Sequence, residues 1–399
     1  MRVVYLDNNA TSAVAPEVLD AMLPFLKERY GNPSSMHSFG GDVAHDIRRA
    51  REQVAALLGA DPEEIVFTSC GTESDSTAIH SALECSPSKR HIVTSRVEHP
   101  AVRSVCRWLA SKGFGLTELS VDPQGMLDMA EVEAAIRPDT AVVSIMYANN
   151  ETGVVFPVER IAELCRERGV LFHTDAVQAV GKLPINMKRN AFDMLSLSGH
   201  KLHAPKGIGV LCVRKGTKFT PFLQGGHQER GRRAGTENVA SIVGLGMACE
   251  LAQRGMEDEN TRVPRLRDRL EKELLARVPD CRLNGHPTQR LPNTTNISFE
   301  FVEGEAILLL LNQAGVCASS GSACTSGSLE PSHVLRAMGV PFTFAHGSIR
   351  LSLSRYNTDA DVDCVLETLP GIIKRLRGIS PFSRDRMPSA AMLTPEKPH

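Results

Sequence analysis

No stretch of this chain is apolar for long enough to cross a bilayer. The longest purely aliphatic run, Ala306 to Leu311, falls far short of the roughly 20 residues a membrane helix needs. The N-terminus, MRVVYLDNNAT, carries Asp7 and two asparagines where a secretory leader would have an apolar core. An excess of one charge is missing too: 45 Lys and Arg stand against 46 Asp and Glu, a formal net charge of −1. Nothing in that balance attracts nucleic acid or an anionic membrane. Of the ten cysteines no two stand at CxxC spacing, so no metal site is expected, and scattered thiols are mostly small buried hydrophobes. There is no internal repeat and no low-complexity linker. These absences describe a cytoplasmic protein without nucleic-acid or membrane partners.

What is present is length enough for two domains and a regular alternation. Short β-branched runs recur at Glu64–Thr68, His91–Thr94, Thr140–Met146, Val170–Thr174, Met194–Ser198 and Gly209–Val213. Helix-like segments such as Val158–Arg168 separate them. The pattern predicts an α/β fold with a mostly parallel sheet covered by helices, whose ligands sit beyond the carboxyl ends of the strands. The texture changes near residue 256. A charged amphipathic helix over Arg262–Val278 is followed by a strand at Thr295–Phe301, a helix at Ala306–Gln313 and a strand at Ser348–Leu353. We expect a large domain over 16–257, a smaller α+β domain from 1–15 and 258–378, and a loosely ordered tail over 379–399.

The chemistry collects just after the strand runs. Lys201, in SGHKLHAPKG, is an amine delivered to a strand end, where partial desolvation suits it to Schiff-base chemistry. A turn lysine on the surface reads the same way locally, and Lys206 competes within the loop. Asp175 ends VLFHTD and can keep a pyridine nitrogen protonated, although an Asp there also serves as a helix N-cap. Gln178 is placed to reach a phenolic oxygen. In FTSCGTES, Gly71 allows a close turn and Thr72 opens a helix whose free N–H groups suit a phosphate. His99, in EHP, offers a flat ring for stacking, and Asn150, in NNETG, a donor to a ring oxygen. With Ser198 and His200 these residues fall at the ends of five strand runs. A phosphate cradle, a stacking ring, an acid for a ring nitrogen and an amine are together what pyridoxal 5'-phosphate requires.

Over about residues 3–378, the blocks YLDNNATS, GNPSSMHSFG, FTSCGTES, HTDAVQAVGK, SGHKLHAPKG, GGHQERGRRAGTEN and SSGSACTSG resemble the cysteine desulfurases of the class V aminotransferase family. The likeness is greatest to their nitrogen-fixation type. The resemblance implies a fold-type I homodimer in which Lys201 carries the cofactor, Asp175 meets its ring nitrogen and His99 stacks on the ring. It implies that Thr72, Ser198 and His200 hold the phosphate, joined by Thr236 from the second subunit. Arg350, rather than its neighbour Arg355, would hold the substrate carboxylate together with Asn150.

Cys324 decides the reaction. Residues Ser319–Ser328 are all small or polar, the composition of a mobile loop. A thiol on such a loop above an electron-sink cofactor suggests sulfur transfer: removal of sulfur from L-cysteine, alanine as the other product, and a persulfide on Cys324. Thiolate is the nucleophile, so His99 or another local base should help deprotonate it. The resemblance adds an iron–sulfur scaffold protein as acceptor, nitrogenase metallocluster assembly as destination, and contact of Cys324 with a cluster iron during transfer. The alternatives are a selenocysteine lyase or aminotransferase of the same fold, or a sulfur carrier without enzymatic activity.

Overall fold

The computed structural model describes residues 2–320 and 331–380. Cys324, and the expected tail beyond Ser380, lie outside the described residues. The first strand, β1 (Val4–Tyr5), is separated from the main sheet by helices α1 (Pro16–Lys27) and α2 (Ser38–Leu58). That sheet contains β2 (Ile65–Thr68), β3 (His91–Ser95), β4 (Gly115–Leu119), β5 (Thr140–Ser144), β6 (Leu171–Asp175), β7 (Met194–Ser198) and β8 (Gly209–Val213). Their spatial order is β2-β8-β7-β6-β5-β3-β4. All neighbours are parallel except β8, which runs antiparallel to both β2 and β7.

All the sheet strands but β4 are buried along almost their whole length because helices cover both faces. Within them the side chains still alternate. Val66, Ile92, Val142, Met194 and Leu211 pack with α3 (Gly71–Glu84) and α4 (Pro100–Ser111). Ile65, Phe67, Val93, Val143, Leu195 and Val210 pack on the opposite side. There they meet α2, α6 (Val158–Glu167) and α7 (Val239–Arg254), the short α5 (Met129–Ala135) joining at the edge. Strand β4 was not anticipated, since its GLTEL sequence is only half-buried.

A second core gathers Val4 and Leu6 with the apolar stripe of α8 (Met256–Arg277), which begins earlier than its sequence pattern suggested. Val263, Leu266, Leu270 and Leu274 are all buried there, as their spacing predicted. The remaining strands are β9 (Cys281–Leu283), β10 (Thr294–Phe299), β11 (Val316–Cys317) and β12 (Ser348–Ser352). β10 lies between β9 and β12, while β1 returns to pair in parallel with β11. Helices α9 (Gly304–Gln313), α10 (His333–Ala337), α11 (Phe342–Ala345) and α12 (Asp359–Ile379) complete the chain. Val334 and Leu335 of α10 belong to the large core rather than the second one. Among the described residues no helix is long and apolar enough to cross a membrane.

Candidate active site

The carboxyl ends of β2, β3, β6 and β7 open onto a cavity of about 400 Å³, a volume suited to a small cofactor with its substrate. Ten residues expected from the sequence line it: Gly71, Thr72, His99, Asn150, Asp175, Gln178, Ser198, His200, Lys201 and Arg350. Lys206 is exposed and Arg355 lines a neighbouring small cavity, so neither rival lines the main one. Thr236 lies elsewhere, with Thr68, Ser69 and Arg233 around a separate cavity of about 220 Å³. Asn150 is not at a strand end, as expected, but in a turn beyond β5 closed by the Gly153 N–H to the Asn149 carbonyl.

Each lining group has a local cause. Lys201 sits on a one-turn 3₁₀ segment, Gly199–Lys201, straight after β7. Its Nζ donates to the carbonyls of Asn9 (2.5 Å) and Ala10 (2.7 Å). Asp175 ends β6, is buried, and accepts the Val177 N–H at 2.9 Å. Burial raises its pKa, opposed by that N–H and by Lys201. Behind it, the buried Asp75 on α3 is pushed up well beyond the ordinary range by burial and by Asp175. Asp75 lies 3.6 Å from His173 Nε2, whose ring bridges the Ser144 and Ser196 hydroxyls. An extra positive charge beside Asp175 would relieve this crowding of carboxyls.

His99 caps α4, its Nδ1 accepting the Ala101 N–H at 3.1 Å. Burial, with Lys201 and His333, lowers its pKa to about 4. The ring is therefore neutral with its hydrogen on Nε2. In that tautomer Nε2–H is a donor. Burial and Lys201 likewise lower His200 to about 4. Arg350, 2% exposed on β12, donates Nη1 to the Asn150 carbonyl (2.9 Å) and Nη2 to Asp7 (2.8 Å).

The residues present fit pyridoxal phosphate on two observations. A Cβ at Gly71 would stand 2.9 Å from Val177 Cγ2 and 3.4 Å from Ser198 Cβ, so only glycine keeps this corner open. That glycine starts α3, which no side chain caps, leaving N–H groups for an anion. Second, Gln178 spends its amide nitrogen on the Asn9 carbonyl, while its buried Oε1 has no hydrogen-bond partner. Such an orphan invites a donor from a bound group.

Sequence reasoning attached no chemistry to Asp7, Asn9, Asp75, Glu151 or His333, although four of the five stand in or beside blocks singled out above. Asn9 reaches the cavity, and Asp7 reaches its Arg350, because the N-terminal segment docks on β12: the Asn8 and Asn9 N–H groups bond Ser352. His333 arrives from α10 and contacts the Glu98 carbonyl at 3.0 Å.

A model of the class V aminotransferase family matches residues 4–365, and the chain belongs to that family of pyridoxal-phosphate enzymes. Pyridoxal phosphate is its cofactor. Within the family the chain stands among the cysteine desulfurases. It is 63% identical over 385 residues to the cysteine desulfurase of Trichormus azollae, covering 96% of each chain. It is 59% identical over 380 residues to the cysteine desulfurase NifS of Azotobacter vinelandii, covering 95% and 94%. The solved structure of a NifS-like protein superposes with a TM-score of 0.88 at 38% identity, over 94% of this chain and all of that one. A protein solved as SspA in complex with cysteine gives 0.78 at 37% identity, over 89% and 99%.

Proposed function

We propose that this enzyme removes sulfur from L-cysteine, stores it as a persulfide on Cys324, and delivers it from a homodimer in the cytoplasm to an iron–sulfur scaffold protein. The convergence of ten expected residues on one cavity carries the reading. The cofactor supplies an electron sink for charge that develops at the substrate α-carbon. Lys201, its covalent anchor, removes and returns the α-proton from its place beside the Asn9 and Ala10 carbonyls. Asp175 keeps the ring nitrogen protonated, a task favoured by a buried carboxylate crowded by Asp75. Gln178 Oε1, buried without a hydrogen-bond partner, would accept from a donor on the ring, and His99 would stack on the ring while offering Nε2–H. Thr72, Ser198 and His200 hold the phosphate at the head of α3, and Thr236 of the partner chain completes it. Arg350 and Asn150 hold the substrate carboxylate.

The Cys324 thiolate attacks the substrate sulfur as the carbon–sulfur bond breaks. The sulfur stays on Cys324, the bonding pair remains with carbon, and protonation there yields alanine. Resemblance to the nitrogen-fixation type favours nitrogenase metallocluster assembly as the destination. The deciding variant is Cys324→Ala. It should keep the cofactor and still change its absorbance on adding L-cysteine, while alanine release collapses. In the parent enzyme, L-cysteine without reductant should add one sulfur to the Cys324 peptide by mass spectrometry. Alanine release at the parent rate from Cys324→Ala would refute the persulfide route and leave a lyase or aminotransferase.

A further inference from the structure

Glu151 follows Asn150 on the turn beyond β5, is 4% exposed, and lines the same cavity as Arg350. Its Oε2 accepts the hydroxyl hydrogen of Ser332. Ser332 in turn accepts the N–H groups of Val334 (3.1 Å) and Leu335 (3.4 Å) at the head of α10, so its single hydrogen is committed to the carboxyl. The Glu151 backbone is pinned on both sides, its N–H to Asn149 Oδ1 (2.9 Å) and its carbonyl to Asn296 Nδ2 (3.2 Å). This is a carboxyl group fixed in place beside the guanidinium that is to receive the substrate.

The charges around Arg350 are already crowded. Asp7 occupies Nη2, the Asn150 carbonyl occupies Nη1, and the buried Nε has no hydrogen-bond partner. A substrate carboxylate arriving there is the second anion on one cation, and an ionised Glu151 would be a third. The other titratable groups of the cavity are Lys201, His99, His200, His333, Asp75, Asp175 and the Cys70 thiol. The histidines are held neutral by burial at physiological pH, and the two aspartates are themselves acidic groups raised by burial. Burial lifts the Glu151 pKa to about 7, against the pull of Ser332 and Arg350.

We propose that Glu151 is a positioning residue that controls the charge at Arg350, admitting the substrate carboxylate while it holds a proton and opposing it once ionised. The inference rests on the reading of Arg350 as the carboxylate-holding residue. It makes substrate affinity a function of pH through a side chain that never touches the reacting atoms. Binding should take up protons near neutrality, and affinity should fall as pH rises through the Glu151 value.

The test uses the loaded enzyme and L-alanine, the product, which has the substrate's carboxylate but no sulfur to lose, as a probe of the carboxylate subsite. Dissociation constants from absorbance titrations between about pH 6 and pH 8.5 should rise by up to about thirtyfold in the parent beyond the trend of Glu151→Gln. Calorimetry in buffers of different ionisation heat should show proton uptake in the parent that Glu151→Gln lacks. Ser332→Ala removes a donor that favours the ionised form, so its loss of affinity should move to higher pH. Arg350→Ala should weaken binding at every pH. Unchanged affinity in Arg350→Ala would sink the reading of Arg350 itself. Weak binding in Arg350→Ala together with one shared pH profile for the parent, Glu151→Gln and Ser332→Ala would overturn the Glu151 inference alone.

Discussion

Replacing Asp175 by asparagine removes a charge and almost nothing else. The side chain is buried, and the amide oxygen can still accept the Val177 N–H that the carboxylate accepts at 2.9 Å. What is lost is the anion proposed to keep the ring nitrogen protonated. Opposite charges about 4 Å apart, at the effective dielectric of about 20 that describes such sites, attract by about 4 kcal/mol. Removing one preorganised electrostatic partner elsewhere costs about 3–4 kcal/mol in a barrier. The two agree on a loss of roughly 10²- to 10³-fold in kcat. Stability should move the other way. Because burial raises the Asp175 pKa, the folded apoprotein binds that proton more tightly than the unfolded chain, and the stability it lends is lost as pH rises. The amide carries no such dependence, so apo Asp175→Asn should melt no lower than the parent at neutral pH. The assay is initial-rate alanine release from L-cysteine with reductant present, with cofactor content measured on the same samples. A loss below tenfold at full cofactor occupancy would refute the electron-sink role of this carboxylate.

Two further outcomes follow from the same site. Borohydride reduction and peptide mapping should place the pyridoxyl label on Lys201, and label on the exposed Lys206 would show that the wrong amine had been chosen. Mixing Thr236→Ala with Lys201→Ala chains should restore part of the activity, because one of the two sites in a mixed dimer carries neither lesion. A fully active monomer in sedimentation would exclude that sharing.

The parts of the site that could be read in the sequence are those whose position is set by a neighbouring strand. Asp175 and Ser198 end strands that are buried along almost their whole length, and Lys201 follows the second of them, so their places could be read from the strand runs. Direction was harder to read. β8 is as fully buried as its parallel neighbours, so GVLCV carries no mark of running the opposite way. Glu151 and His333 were invisible for another reason. Their roles come from neighbours far along the chain, Ser332 for one and the Glu98 carbonyl for the other, and local pattern holds no trace of contacts 181 and 235 residues distant. Asp7 meets Arg350 across 343 residues in the same way. Thr236 lines a separate cavity, and the role proposed for it depends on a second chain.

Those long separations also set an order of events during synthesis. β2 is an edge strand whose one partner in the sheet is β8, so the apolar IVFT segment must wait for more than a hundred residues before its hydrogen bonds can close. The cavity waits longer still, because its walls include Asn9 from one end of the chain and Arg350 on β12 from the other. Loop-closure entropy makes such non-local pairings slow to form, and open strand edges are exposed to other chains meanwhile. A cofactor that needs all of these walls binds the finished fold alone, and by mass action it stabilises that state and none of its precursors. Cofactor supply in the cell would thus govern how much of the newly made chain survives, as well as how fast the mature enzyme works.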